Sequence, residues 1–236
     1  MPLLFTLMRQ PQPTLWARGA AGAAATFPAP APAPEPAPAL APAGEGNAQA
    51  VHMTQYRSMT LPDGPPIGNA NCGPTSAVMG LRLLGLDVPG FHGERTEQVI
   101  DAARLIATGS LDRSLGTTKS QQARILVAGG ASIHGTIDLD EALAAVRAGA
   151  VALVGGDFNA PQWKAMSGRP SVDESTPAAH AIVVSSFDRE RQQYWVNDPL
   201  LTTPRSVTRT QLDSFTGTTG GGALASPAII ARHAAV

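Results

Sequence analysis

The chain has 236 residues, 43% of them hydrophobic, which is enough for one domain of ordinary size with a real core plus an appendage. A formal net charge of −1 leaves no electrostatic footprint for nucleic acid or an anionic membrane, and no stretch approaches the roughly 20 apolar residues of a membrane span. One cysteine excludes an intramolecular disulfide and a multi-cysteine zinc site; the five histidines are scattered without metal-ligand spacing, so no cofactor is expected.

Residues 1–50 hold 10 of the 21 prolines. The run from Pro28 to Pro42, largely Ala-Pro alternation, has the composition of an extended polyproline-type spacer and cannot bury enough surface to fold alone. The apolar start Leu3 to Met8 has the look of a secretory signal, but no basic residue precedes it and Arg9 and several prolines cut it short. A secretory signal, a leader for another export route such as delivery into a host, and a plain linker all stay open, and localisation stays open between the cytoplasm and export. Only Lys119 and Lys164 among the 17 basic residues are lysine, and with abundant Ala, Gly and Pro this is the composition of a GC-rich bacterial genome. The expected division is a disordered leader or linker over 1–50 and a globular domain over 51–236.

From Val51 the composition turns globular. His52 to Tyr56 is expected as a short strand, and the turn-rich Leu61 to Ala70 as one rim of a cleft. Cys72 opens a helix: Pro74 suits the first turn, Val78, Leu81 and Leu84 line an apolar face with Ala77 and Met79, and Gly85 sits where a helix stops. A second helix is expected over Thr96 to Ala107, with Val99, Ile100, Ala103 and Ile106 at helical spacing. A third spans Thr118 to Ala128, and a fourth, capped by Asp138 or Asp140, closes at Gly149. Strand signals begin at Val151 to Val154. Ala160 to Pro177 reads as a long polar loop with Trp163 exposed at its tip, suited to closing over a cleft. His180 to Phe187 and Gln193 to Asn197 form an expected hairpin, Arg205 to Thr208 reads as a further strand, and Ala228 to Ala231 as an edge strand. Helices first and sheet afterwards is an α+β order.

The chemistry starts at Cys72. A thiol at a helix N-terminus feels the positive end of the helix dipole, which favours the thiolate. A lone cysteine is otherwise more often a buried structural thiol, so its partners decide. Nucleophilic cysteine chemistry needs a histidine to take the proton and a carboxylate or amide to orient that histidine. His180 opens a buried, β-branched run, and Asp198 follows the second arm of the hairpin, so antiparallel pairing sets them at the same end of a sheet. Asp157 and Asn197 are rivals for the orienting place. Gln55, 17 positions before Cys72, has an amide able to donate to an oxyanion. His134, in a strand-like stretch after the third helix, reads as structural, and Trp163 and Trp195 as packing or rim residues.

Gln55, then Cys72-Gly73-Pro74-Thr75-Ser76 on a helix, then His180-Ala181-Ile182-Val183-Val184, then Asn197-Asp198-Pro199 together resemble the papain-like peptidases related to the bacteriocin leader-processing, double-glycine family. The resemblance covers roughly residues 51–200. It implies a papain-like α+β fold, with an N-terminal helical half carrying the cysteine helix packed on an antiparallel sheet. It also implies roles: Gln55 in the oxyanion hole, Cys72 as nucleophile, His180 as general base and acid, and Asp198 orienting His180. The interval from Gln55 to Cys72 is longer than in transporter-linked members and is similar to that of stand-alone relatives.

The expected activity is therefore hydrolysis of a peptide or protein substrate. Deamidation or transglutamination of a glutamine side chain would use the same residues, and a non-catalytic module would bind peptides in the same groove without needing the thiol. Gly155-Gly156 suggests room for a substrate backbone and a preference for small residues before the cut. Oligomeric state is not legible in the sequence.

Overall fold

The computed structural model describes residues 45–55, 70–93, 97–168, 179–218 and 223–234. Seven helices and six strands lie among them: α1 (Glu45–Val51), α2 (Cys72–Leu83), α3 (Glu97–Thr108), α4 (Lys119–Ala128), β1 (Ala131–Asp138), α5 (Leu139–Arg147), β2 (Val151–Asp157), α6 (Pro161–Ser167), β3 (Ala179–Asp188), β4 (Gln193–Asn197), β5 (Arg205–Val207), α7 (Arg209–Thr216) and β6 (Ala223–His233). The strands form one sheet in the order β1-β6-β2-β3-β4-β5, every neighbouring pair antiparallel. Mixed helix and antiparallel sheet is the α+β architecture expected.

Both faces of the sheet are covered, which explains why its central strands read as continuous apolar runs rather than alternating ones. Alternate residues serve opposite layers. Val151 and Leu153 of β2, Val183 of β3 and Ile229 of β6 join Ala77, Val78, Met79 and Leu81 of α2, Val99 and Ile100 of α3 and Ile125 and Leu126 of α4. Ala152 and Val154, Ile182 and Val184, and Ile230 point the other way, against Leu139, Leu143 and Val146 of α5, Trp163 of α6 and Leu212 and Phe215 of α7. Each large side chain fully buried in these layers contributes about 1.5–3 kcal/mol by removal from water.

The helix signals in the sequence correspond to local chemistry. The Thr118 side chain accepts from Gln121 N–H while the Gln121 side chain accepts from Thr118 N–H, closing a capping box on α4. Asp138 caps α5 by accepting from the N–H groups of Asp140 and Glu141. Past α2, Gly85 takes a φ of +70°, the left-handed geometry that lets the chain leave the helix. Ser76 then ties α2 to the sheet, its hydroxyl donating to Ala181 O at 2.9 Å.

Three expectations differ from what is found. The last strand is not at an edge: β6 is longer than its apolar core and runs between β1 and β2. The strand-like stretch around His134 is β1, Ala131–Asp138. Residues 52–54 are not strand but irregular chain, held by side-chain bonds rather than a ladder. Finally, the described structure starts upstream of Val51. Ala48 of α1 is fully buried and its carbonyl accepts from Asn197 Nδ2 at 2.7 Å, so α1 is stitched to the end of β4. The expected rim from Leu61 lies outside the described residues except for Ala70.

Candidate active site

Three strand or helix ends converge on one point. Cys72 is the first residue of α2, His180 the second residue of β3, and Asp198 follows directly on β4. Pairing of β3 with β4 sets Val183 opposite Asn197, which brings the two segments to a common end of the sheet. There His180 Nε2 and Asp198 Oδ1 are 2.6 Å apart, with the histidine side chain 4% exposed and the aspartate 0%. With Nε2 engaged by Asp198, the imidazole also acts on the neighbouring Cys72 thiol through its hydrogen bonding and charge. Cys72, His180 and Asp198 are thus brought together as the sequence suggested. Asp157 and Asn197, the rivals, do other work: Asp157 Oδ1 accepts from Asn159 N–H, and Asn197 bonds Ala48 O and His52 Nδ1.

The electrostatics favour an ion pair. Burial alone would raise the Cys72 pKa, but the His180 hydrogen bond and charge, with the backbone N–H bonds at Ala181 and Gly73, outweigh it and lower the thiol below its ordinary value. For His180, burial pushes down, yet the Asp198 charge and hydrogen bond and the contact with Cys72 lift its pKa to about 10. Burial would raise Asp198, but the His180 charge and bond, then the Leu200 N–H and Trp163, hold it below the usual carboxylate range. All three shifts run toward the charged forms: thiolate, imidazolium and carboxylate.

Aromatic rings shield this chain of charges. Phe158 lies edge-on to His180 at 5.4 Å between centroids, and Phe215 does so at 6.3 Å. Trp163 is the main departure from expectation. Instead of an exposed loop tip it lies in α6, is 0% exposed, packs on Phe215, and donates its indole N–H to Asp198 Oδ2 at 3.2 Å. With Leu200 N–H donating to Oδ1 at 2.8 Å, both carboxylate oxygens are engaged, and the rotamer that faces His180 is fixed. Residues 169–177 of the expected loop lie outside the described residues.

The glycines expected to make room for substrate serve the protein's own packing. A Cβ at Gly156 would meet Phe215 O at 2.2 Å, and one at Gly155 would meet Lys119 Cε at 3.3 Å. Both glycines also line the cleft that holds Cys72 and His180. Gly156→Ala is expected to lower stability by about 1–3 kcal/mol by pushing α7 from β2; an unchanged denaturant midpoint would contradict that close fit.

One residue absent from the sequence analysis holds the nucleophile turn. Arg104 of α3 is 1% exposed and donates from Nη1 to Asn71 Oδ1 at 2.8 Å and Ala70 O at 3.2 Å, from Nη2 to Leu115 O at 2.6 Å and from Nε to Asp112 O at 2.6 Å. Asn71 is the N-cap residue of α2, but its side chain makes no cap bond. A basic residue on an otherwise apolar helix face was the available signal. Arg104→Met uncovers four acceptors at once and is expected to cost about 2–4 kcal/mol, with slower alkylation of Cys72. Denaturant melts and iodoacetamide kinetics on the same variant check both.

Gln55 reaches the same end of the sheet by a different route. Its N–H donates to Pro199 O at 2.9 Å, one residue beyond Asp198, and its side chain is buried. His52 braces that segment by donating from Nε2 to Leu201 O at 2.9 Å, while its Nδ1 accepts from Asn197.

The Peptidase_C39 like family matches residues 49–217, which take in all four of these positions. The chain belongs to this family. Membership points to cysteine peptidase activity, and a peptidase acts on peptides or proteins. Among solved structures, one described as a C39-like peptidase from Bacillus anthracis is similar over 76% of this chain and 92% of its own, at 15% identity and a TM-score of 0.45. No curated protein matches. Among the described residues, no helix of this C39-like chain is long and apolar enough to cross a membrane.

Proposed function

We propose that the chain is a cysteine peptidase in which Cys72 is the nucleophile, His180 the general acid and base, Asp198 the residue that orients and charges His180, and Gln55 an oxyanion donor. The observation that carries this reading is the buried His180–Asp198 pair set beside the half-buried Cys72 at the N-terminus of α2. The thiolate attacks the scissile carbonyl carbon, forming a C–S bond and a tetrahedral oxyanion. The Cys72 backbone N–H and the Gln55 amide hold that oxyanion. Collapse breaks the C–N bond as imidazolium gives its proton to the departing amine. Neutral His180 then takes a proton from water, the hydroxyl oxygen attacks the thioester, and the C–S bond breaks to release the acid and restore the thiolate. What supports Gln55 is its anchorage beside the Asp198–Pro199 turn.

A diverse peptide library incubated with wild type and with Cys72→Ala, followed by mass spectrometry, tests the reading. New termini with wild type alone are expected. A one-dalton gain on glutamine without cleavage would replace it by deamidation, and no thiol-dependent change would overturn the catalytic reading.

A further inference from the structure

Lys119, the first residue of α4, lines the same cleft of about 570 Å³ as Cys72 and His180, and has no role in the chemistry just described. Its stem lies over Gly155, where a Cβ would stand 3.3 Å from Cε and 3.4 Å from Nζ, so the absence of a side chain there makes room for it. Its ammonium carries three donors. The described residues engage it with one long bond, Nζ to Leu153 O at 3.4 Å, and place no carboxylate within ion-pair distance. Asp157, on the same cleft wall, is turned to Asn159 N–H. Partly buried cations are ordinarily paired, because desolvation without a counter-charge is unfavourable. Burial lowers the Lys119 pKa to about 8, with the Cys72 charge opposing the drop, so the protonated form still dominates at neutral pH.

We propose that Lys119 is a specificity determinant whose ammonium pairs with a carboxylate of the substrate. The favoured substrates carry an acidic side chain, or a free chain terminus, beside the bond that is cut. The proposal rests on Cys72 being the reactive nucleophile of this cleft. Such a contact is charge-assisted and strengthens as the bound substrate expels water.

Two alkylating agents of similar size separate this role from the rest of the site. Iodoacetate brings a carboxylate to Cys72, and iodoacetamide does not. The ratio of their rates at pH 7 is expected to fall about tenfold in Lys119→Met, with the same loss in Lys119→Gln, the size expected for removing one nearby charge in a partly screened cleft. A lysine that only favoured the thiolate would change both rates together, and an unchanged ratio overturns the proposal. The source of the carboxylate is read with end-blocked peptides paired as Glu against Gln, and with matched peptides carrying a free or amidated C-terminus. Wild-type preference that disappears in Lys119→Met in the first pair assigns the side chain; in the second, it assigns the terminus. Alkylation requires no peptide cleavage, so Lys119 is decided even where the peptidase reading fails.

Discussion

Asp198→Ala is expected to lower kcat/KM by about 10²–10⁴-fold, the range that a positioned acid–base system supplies, and to destabilise the fold by about 3–5 kcal/mol, as breaking a buried charge pair does. Three groups lose their partner at once: the imidazolium of His180, the indole N–H of Trp163 and the backbone N–H of Leu200. Asp198→Asn is milder. Its amide oxygen can still accept from His180 Nε2, but its NH₂ then faces the Trp163 N–H, donor against donor. Pairing that variant with Trp163→Phe is expected to recover part of the stability lost.

The pH dependence has a definite sign. The His180 pKa is raised from its ordinary 6.5 to about 10, so its contribution to stability is complete below 6.5 and fades as pH rises through about 10. Asp198 is lowered from 3.8, so its contribution is present above 3.8 and is lost as pH falls through the lower folded value. The stability gap between wild type and Asp198→Ala is therefore expected to be widest between about pH 4 and 6.5 and to narrow on the alkaline side. Denaturant midpoints across that range give the answer; a gap that grows toward pH 10 would mean that His180 is neutral in the fold.

Cys72→Ala is expected to abolish thiol-dependent cleavage, a loss of about 10⁴–10⁶-fold, because the attacking sulfur is removed and members of such a unit act together. Stability should stay within about 1 kcal/mol of wild type. The substitution removes one sulfur at a helix mouth while Asp198 continues to neutralise His180. A large loss of stability would show instead that the thiolate is a structural counter-charge for the imidazolium.

Three of the four candidate residues were legible because each stands at the end of a strongly patterned element. Cys72 opens an amphipathic helix, His180 opens a β-branched strand, and Asp198 ends the second arm of a hairpin whose turn is readable. Gln55 sits in irregular chain whose geometry is set by contacts with residues about 145 positions away, which no local period reveals. Trp163 was misplaced for a related reason. Pro161–Ser167 is too short for a helical period to emerge, and the residue's burial depends on meeting Asp198 and Phe215 from other elements. The position of β6 is a long-range pairing choice: its apolar run is the same whether it lies at an edge or between β1 and β2. Lys119 has the pattern of an ordinary helical surface charge, because spacing alone does not say which basic residue turns inward.

The central claim is that Cys72 and His180 form a thiolate–imidazolium pair, and the pH profile of Cys72 alkylation by iodoacetamide tests it most directly. The rate is expected to level off below the ordinary thiol value of 9.0, and the profile of His180→Ala is expected to move back toward that value. A wild-type rate that keeps rising about tenfold per pH unit through neutrality and levels only near 9, as a free thiol does, would contradict it.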